Sequence, residues 1–266
     1  MSSVSEFLAS VDGEIMPAGE ATIPAKDEGL LRGDGVFEVI RVYEGRPFAL
    51  DEHLDRMERS AANLRLPVDL EAVRAETYRL LAQASDGHGH EQLRIVITRG
   101  GLRLLLTEPM AAMPDVLRLA SITYSPTRVL DGIKSLSYAA NMLATRLAQE
   151  RGYDEALFVT PHGHVLEAPR SSFFWVKDGR VLTPPLEEHI LASITRKIVI
   201  ELAGGIEQQC TLAELAEADE AFIAGTTREV HPVSAIDERT FEAPGPISAR
   251  LMDEVAAHIR AKLDAP

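Results

Sequence analysis

Apolar and polar positions along the 266-residue chain change period several times, and each change marks an element. VDGEIMP predicts a short hairpin strand. VFEVIRVYEGRPFAL alternates with period two on either side of Glu44-Gly45-Arg46, which predicts two strands joined by a turn. Asp51 then reads as the cap of a helix, EHLDRMERSAANL, in which Leu54, Met57, Ala61 and Leu64 share one face. A second helix is expected over about 70–84, ending in the polar, Gly-rich SDGHGHE, and two strands follow, LRIVITRG and DVLRLASITYS. Periodicity breaks at SPTRVLDG, where a linker is expected.

The second half reads differently. A helix after residue 134 leads into DEALFVT, a PHGH turn, HVLEA, SSFFWVKDGRVLT and the helix SITRKIVIELAGG. AELAEADEAFIAG, a strand REVHPVSAI and an amphipathic helix from about 246 to 263 complete it. Short strands closed by turns and interrupted by helices predict a barrel-like α+β domain. The expected organisation is α+β with two domains, 1–124 and 134–266, joined by a linker over 125–133.

Composition narrows the function. A net charge of -14 argues against nucleic acid or an anionic membrane as the main partner. No apolar run is long enough to span a bilayer, and MSSVSEF lacks the pattern of a signal peptide. The single cysteine, Cys210, precludes an intrachain disulfide and fits a reducing compartment, so the cytoplasm is the expected location.

Lysine is scarce: Lys26, Lys134, Lys177, Lys197 and Lys262 face more than four times as many arginines. Lys26 lies in a polar loop, Lys177 in a turn, and Lys197 and Lys262 on amphipathic helices. Lys134 alone follows a strand and loop just before a helix, where partial desolvation and the helix start favour a free, nucleophilic amine. A Schiff-base lysine needs that setting.

A phosphate-bearing cofactor also needs anion ligands. Arg56 offers a guanidinium, Ile194 and Thr195 open a helix with unpaired amides, and Gly225-Thr226-Thr227 offers a turn with hydroxyls. Singly, these also read as a surface salt-bridge residue, an ordinary helix start and an ordinary turn. Glu167, at the end of HVLEA, reads either as a carboxylate that holds a proton on a cofactor ring nitrogen or as an exposed strand-end glutamate. His88/His90 and His162/His164 lie in Gly-rich turns without a third ligand, so no metal site is expected. G-x-S-x-G, G-x-G-x-x-G and P-loop patterns do not occur. Cys210 reads as packing.

RGDGVFEVIRVY, HLDRMERSA, IKSLSYAAN, RGYDEALFVTPHGHVLEAPRSS, VLTPP, LASITR and ADEAFIAGTTREVHPV, in this order, resemble the class IV (fold type IV) pyridoxal-phosphate aminotransferases over roughly residues 8–240. The resemblance implies a small N-terminal α/β domain, a larger C-terminal pseudo-barrel domain that binds pyridoxal 5'-phosphate, and a homodimer. It implies that Lys134 bonds the cofactor and shuttles a proton between Cα and C4′, and that Glu167 pairs with the pyridinium nitrogen. Arg56, Ile194, Thr195 and Thr226 match phosphate-binding positions, and Arg170 and Ser171 match the loop near the ring and phosphate. Here APRSS replaces a Gly/Ser-rich loop, and Ser193 stands where glycine is common.

RGDGVFEVIRVY and IKSLS look closest to D-amino-acid aminotransferases, with amino acids and 2-oxo acids as the implied substrates. Aminodeoxychorismate lyase is the chief alternative, followed by branched-chain aminotransferase and then a non-catalytic cofactor-binding protein. Arg32 and SLSY stand where branched-chain enzymes usually carry a tyrosine and a GGNY stretch. Tyr138 falls one residue short of that tyrosine and reads as helix packing. For the substrate carboxylate, Arg32, Arg99 and Arg103 are candidates, with Thr227 and its neighbouring amides as a second possibility.

Overall fold

The computed structural model describes residues 7–84 and 91–264, so His88 and His90 lie outside the described residues. The chain divides into two compact units, residues 1–112 with 133–138, and residues 113–132 with 139–266.

The first unit contains β1 (Leu8–Val11), β2 (Glu14–Pro17), α1 (Glu28–Arg32), β3 (Gly35–Tyr43), β4 (Arg46–Pro47), α2 (Leu50–Leu64), α3 (Leu70–Ala84), β5 (Gln92–Thr98) and β6 (Arg103–Glu108). Its sheet runs β2-β1-β6-β5-β3-β4, antiparallel throughout. Period-two alternation puts Val36, Glu38 and Ile40 on one face of β3. There Val36 and Ile40 share a core with Leu54, Met57 and Ala61 of α2 and with Leu80, Ile95 and Leu105. Burial of Leu54 or Met57 stabilises this unit by about 2 kcal/mol each.

Two expectations change here. Asp51 is not the helix cap: α2 begins after Ala49, whose φ of 54° is left-handed. Asp51 sits in the first turn, 2.5 Å from Arg74 of α3, where its charge complements the helix dipole. Strand β6 was not expected. Its three consecutive leucines mask the alternation, although Leu105 is buried while Leu104 and Leu106 are only partly so.

The second unit contains β7 (Leu117–Thr123), α4 (Ala139–Glu150), β8 (Glu155–Val159), β9 (Ser172–Lys177), β10 (Arg180–Thr183), α5 (Ile194–Ala203), β11 (Ile206–Glu207), α6 (Leu212–Leu215), β12 (Glu220–Gly225), β13 (Glu229–Ile236), β14 (Arg239–Thr240) and α7 (Pro246–Asp264). Its half-barrel sheet runs β11-β10-β9-β12-β13-β7-β8, with β14 on β13. β7 pairs in parallel with both β13 and β8. β8 and β12 are buried along their whole length, which accounts for the apolar runs that follow their leading glutamates, Glu155 and Glu220.

The boundaries therefore differ from 1–124, 125–133 and 134–266. β7 belongs with the second sheet because its hydrogen-bond partners are there. Residues 133–138 belong with the first unit, where Phe37 N–H bonds the Lys134 carbonyl and Leu136 N–H bonds that of Gly35. No helix among the described residues is long and apolar enough to cross a membrane.

Candidate active site

Lys134 lies outside any helix or strand, yet its backbone is held at both ends. Its N–H donates to Ser60 Oγ at 3.2 Å, and its carbonyl accepts from Phe37 N–H at 3.1 Å. The side chain lies along aromatic surface, with Nζ 4.4 Å from the Phe37 ring centroid and 5.9 Å from that of Tyr138. Tyr138 precedes α4 and meets Phe37 edge-on at 5.2 Å, so its ring packs beside Lys134 rather than within a helix.

Arg56 is buried, not a surface residue. Its Nε and Nη2 donate to Oε1 and Oε2 of Glu38 at 2.7 and 2.6 Å, and His53 Nδ1 lies 2.8 Å from Oε2. Burial raises the Glu38 pKa, but Arg56 and His53 outweigh it and hold the carboxyl at about 2. Burial pushes His53 below its ordinary value despite the pull of Glu38, with Arg56 and Lys134 adding to the depression. The imidazole is therefore neutral at pH 7. Because a carboxylate only accepts, its proton sits on Nδ1. Nε2 is left buried without a hydrogen-bond partner among the described residues. His53, Arg56 and Ser60 were readable in principle, since they are polar positions at helical spacing on an otherwise apolar face.

In the second unit, Glu167 flanks β8: Phe158 N–H bonds its carbonyl at 2.9 Å, and Leu191 N–H donates to its Oε1 at 3.2 Å. Tyr124, stacked on Phe158 at 4.2 Å, has its pKa raised by burial and then by the Glu167 charge. Ser193 caps α5, its Oγ accepting from Arg196 N–H at 3.2 Å, so the serine found in place of glycine strengthens this helix start. The amides of Ile194 and Thr195 fall in the first turn, which has no intrahelical acceptors.

Thr226, Thr227 and Arg228 form the turn between β12 and β13. A Cβ on Gly225 would stand 3.1 Å from Ser171 Oγ and 3.3 Å from the Arg170 carbonyl, so this turn lies tight against the loop after Glu167. Ser171 Oγ is buried without a hydrogen-bond partner among the described residues. An orphaned hydroxyl beside two turns rich in amides and hydroxyls fits a phosphate-bearing ligand.

Arg170 turns its guanidinium to Glu155, with Nη2 at 3.0 Å from Oε2, where Arg228 Nη2 also donates at 2.7 Å. Burial raises the Glu155 pKa, but Arg228, Thr145 and Arg170 outweigh it and lower it overall. One carboxylate thus ties the loop after Glu167 to the turn after Gly225. Glu155 and Arg228 gave no motif by themselves, since their relation depends on the pairing of distant segments.

The candidate substrate arginines have partners of their own. Arg32 pairs with Glu28 on exposed α1. Arg99 pairs with Asp34 at 2.8 Å and donates to the carbonyls of Arg65 and Leu64. Arg103 pairs with buried Glu76. His164 bonds Glu188 and Gln209, and no group of three metal-ligating side chains occurs among the described residues. Cys210 is buried, and burial pushes its thiol up to about 12.

The sequence profile described as amino-transferase class IV matches residues 35–236. A Methanocaldococcus jannaschii protein provisionally assigned as a branched-chain-amino-acid aminotransferase is 34% identical, covering 92% of this chain and 93% of its own. The D-alanine aminotransferase of Listeria innocua is also 34% identical, covering 91% and 92%. The aminodeoxychorismate lyase of Bacillus subtilis is 30% identical, covering 86% of each. Among solved structures, the fold IV-transaminase CpuTA1 of Curtobacterium pusillum superposes with a TM-score of 0.87 at 28% identity, covering 97% and 99%. A PLP-bound aminotransferase of Mycobacterium tuberculosis, itself described as hypothetical, gives a TM-score of 0.85 at 26% identity, covering 96% and 99%.

Proposed function

The chain belongs to the class IV aminotransferases, a pyridoxal-phosphate-dependent family, and from that premise we propose that it exchanges an amino group between an amino acid, D-amino acids foremost, and a 2-oxo acid in two ping-pong half-reactions. The observation that carries this reading is the setting of Lys134: a backbone held from two sides and an amine laid along the Phe37 ring. The preference for D-amino acids rests on the RGDGVFEVIRVY and IKSLS segments and is supported by likeness to D-alanine aminotransferases.

Bound pyridoxal phosphate supplies an aldehyde that takes up the amino group and a ring that stores the electron pair released at Cα. With the cofactor bound, the Lys134 amine would be the group that attaches to it and, when free, would carry the proton between Cα and C4′. Glu167, whose Oε1 accepts the Leu191 N–H, would keep the proton on the ring nitrogen of the bound cofactor. Arg56 in the first unit, and in the second the amides of Ile194 and Thr195 with Thr226, would bind the phosphate, and Ser171 lies against the Gly225 turn that leads to Thr226. Arg170 acts through Glu155 to set the shape of its loop. Arg32, Arg99, Arg103 and Thr227 stand as candidates for the substrate carboxylate, the two buttressed arginines Arg99 and Arg103 being the weaker pair.

We also propose a homodimer in the cytoplasm. Exposed Met142, Leu143 and Leu147 along α4 support self-association.

The test is a donor screen of D-amino acids, L-amino acids and chiral amines, read as the visible spectrum of each half-reaction. D-alanine should discharge the pyridoxal spectrum to the pyridoxamine form, and a response to L-leucine alone would replace the D-amino-acid reading with a branched-chain one. Release of 4-aminobenzoate and pyruvate from aminodeoxychorismate, without discharge by any amino acid, would favour the lyase reading supported by the Bacillus subtilis relative.

A further inference from the structure

Helix α2 presents three buried polar residues, His53, Arg56 and Ser60, on the face that also carries Leu54, Met57 and Ala61. Their spacing of three and seven residues aligns them in one stripe. His53 and Arg56 are both occupied by Glu38. Ser60 is not. Fully out of solvent, its hydroxyl oxygen instead receives the backbone N–H of Lys134.

That contact matters because of where Lys134 sits. The residue has no helix or strand of its own to fix its φ and ψ angles. One hydrogen bond to its backbone comes from β3 at Phe37, and another reaches the Ser60 side chain. The first is common to any residue at position 37, whereas the second depends on the residue at position 60. Serine is also a mediocre helix former and an added desolvation cost in an apolar face, so packing alone does not account for it.

We propose that Ser60 is a positioning residue for Lys134, fixing the lysine backbone so that Nζ meets the cofactor aldehyde in a productive orientation. This rests on the pyridoxal-phosphate reading above. In the step concerned, the Nζ lone pair adds to the aldehyde carbon and a C–N bond forms. The carbonyl oxygen leaves as water, carrying off both hydrogens of the neutral amine, so no further reactant is needed. Such an addition is sensitive to orientation, and a small displacement of the anchor lowers its rate without altering what holds the phosphate.

The test compares full-length wild type, S60A and S60T, each stripped of cofactor and then mixed with pyridoxal phosphate or with pyridoxamine phosphate. The second ligand carries an amine in place of the aldehyde and makes no bond to Lys134, so it reports on the rest of the site alone. Covalent attachment is followed by visible absorbance and by borohydride trapping mapped to Lys134. S60A should slow attachment by on the order of tenfold and leave the pyridoxamine phosphate Kd within about twofold of wild type, while S60T, which keeps the hydroxyl, restores the rate. Attachment by S60A at the wild-type rate overturns the proposal. Equal weakening of both ligands also overturns it, because general loosening of α2 would do that. Should S60A fail to fold, S60C replaces it in the same comparison, keeping the volume with a weaker acceptor. A wild-type protein that forms no bond to pyridoxal phosphate at Lys134 refutes the cofactor reading itself, a result distinct from either of these.

Discussion

Glu38 meets Arg56 at two points, Oε1 to Nε at 2.7 Å and Oε2 to Nη2 at 2.6 Å, with the carboxylate wholly out of solvent. A fork-to-fork pair of this kind fixes the guanidinium plane as well as its position, which a single hydrogen bond does not. Arg56 is thus a preorganised cation. The neutral His53 completes the shell around the carboxylate without adding a further charge.

This pair should be visible in acid stability. The folded-state pKa of Glu38 is depressed from 4.5 to about 2, so its contribution is present above pH 4.5 and lost as the pH falls through 2. The shift corresponds to about 3 kcal/mol. Urea unfolding at a series of pH values should show a steeper loss for wild type than for E38Q across that window, with E38Q already less stable at pH 7 because Arg56 is left buried and unpaired. Parallel curves for the two proteins would remove Glu38 as the source.

Arg103 separates two roles by one substitution. It is paired with Glu76, which is almost wholly buried. Arg103→Ala should therefore lower stability by about 3 kcal/mol and leave KM for the oxo acid within about twofold of wild type. A large rise in KM with Tm unchanged would instead assign Arg103 to the substrate carboxylate.

Lys134→Ala should abolish transamination, because no other amine stands beside Phe37 among the described residues to bond the cofactor and move the proton. Stopped-flow absorbance with D-alanine is the measurement. Half-reaction rates equal to wild type in this variant would overturn the assignment of the lysine.

The sequence carried these features unequally. Lys134 stood out because only five lysines occur and the other four lie in a polar loop, a turn or on amphipathic helices. Helix α3 was legible at about 70–84, since the polar, Gly-rich SDGHGHE marks its end. Strand β6 was not, since a run of leucines carries no period, and the domain boundary was misplaced because β7 finds its partners in β8 and in β13, over a hundred residues further on. Arg56 and Glu167 were legible as residues but not in their settings: the burial of Arg56 depends on Glu38, which lies on another element. Glu155 joins two loops far apart in sequence, a relation that only the folded chain contains.

Glu167→Gln tests the ring-nitrogen role apart from binding. The amide oxygen of glutamine still accepts the Leu191 N–H that Glu167 Oε1 now receives, so this contact is kept. What is lost is the charge that keeps a proton on the ring. Cofactor content should stay near wild type while kcat drops on the order of 100-fold. An unchanged kcat would exclude this carboxylate from the electron-sink function.

Gly225→Ala probes whether the turn after β12 shapes the phosphate end of the cofactor site. The added methyl would stand 3.1 Å from Ser171 Oγ and 3.3 Å from the Arg170 carbonyl, both closer than relaxed van der Waals contact. The hydroxyl can rotate away, but the carbonyl moves only with its loop, and overpacking of this kind costs about 1–3 kcal/mol. Because Thr226 follows directly and Ser171 lies across the gap, the displacement should reach both proposed phosphate contacts and raise the Kd for pyridoxal phosphate roughly tenfold. Free pyridoxal, which lacks the phosphate, should bind as it does to wild type. A variant with lowered Tm and an unaltered preference for the phosphorylated ligand would restrict Gly225 to packing.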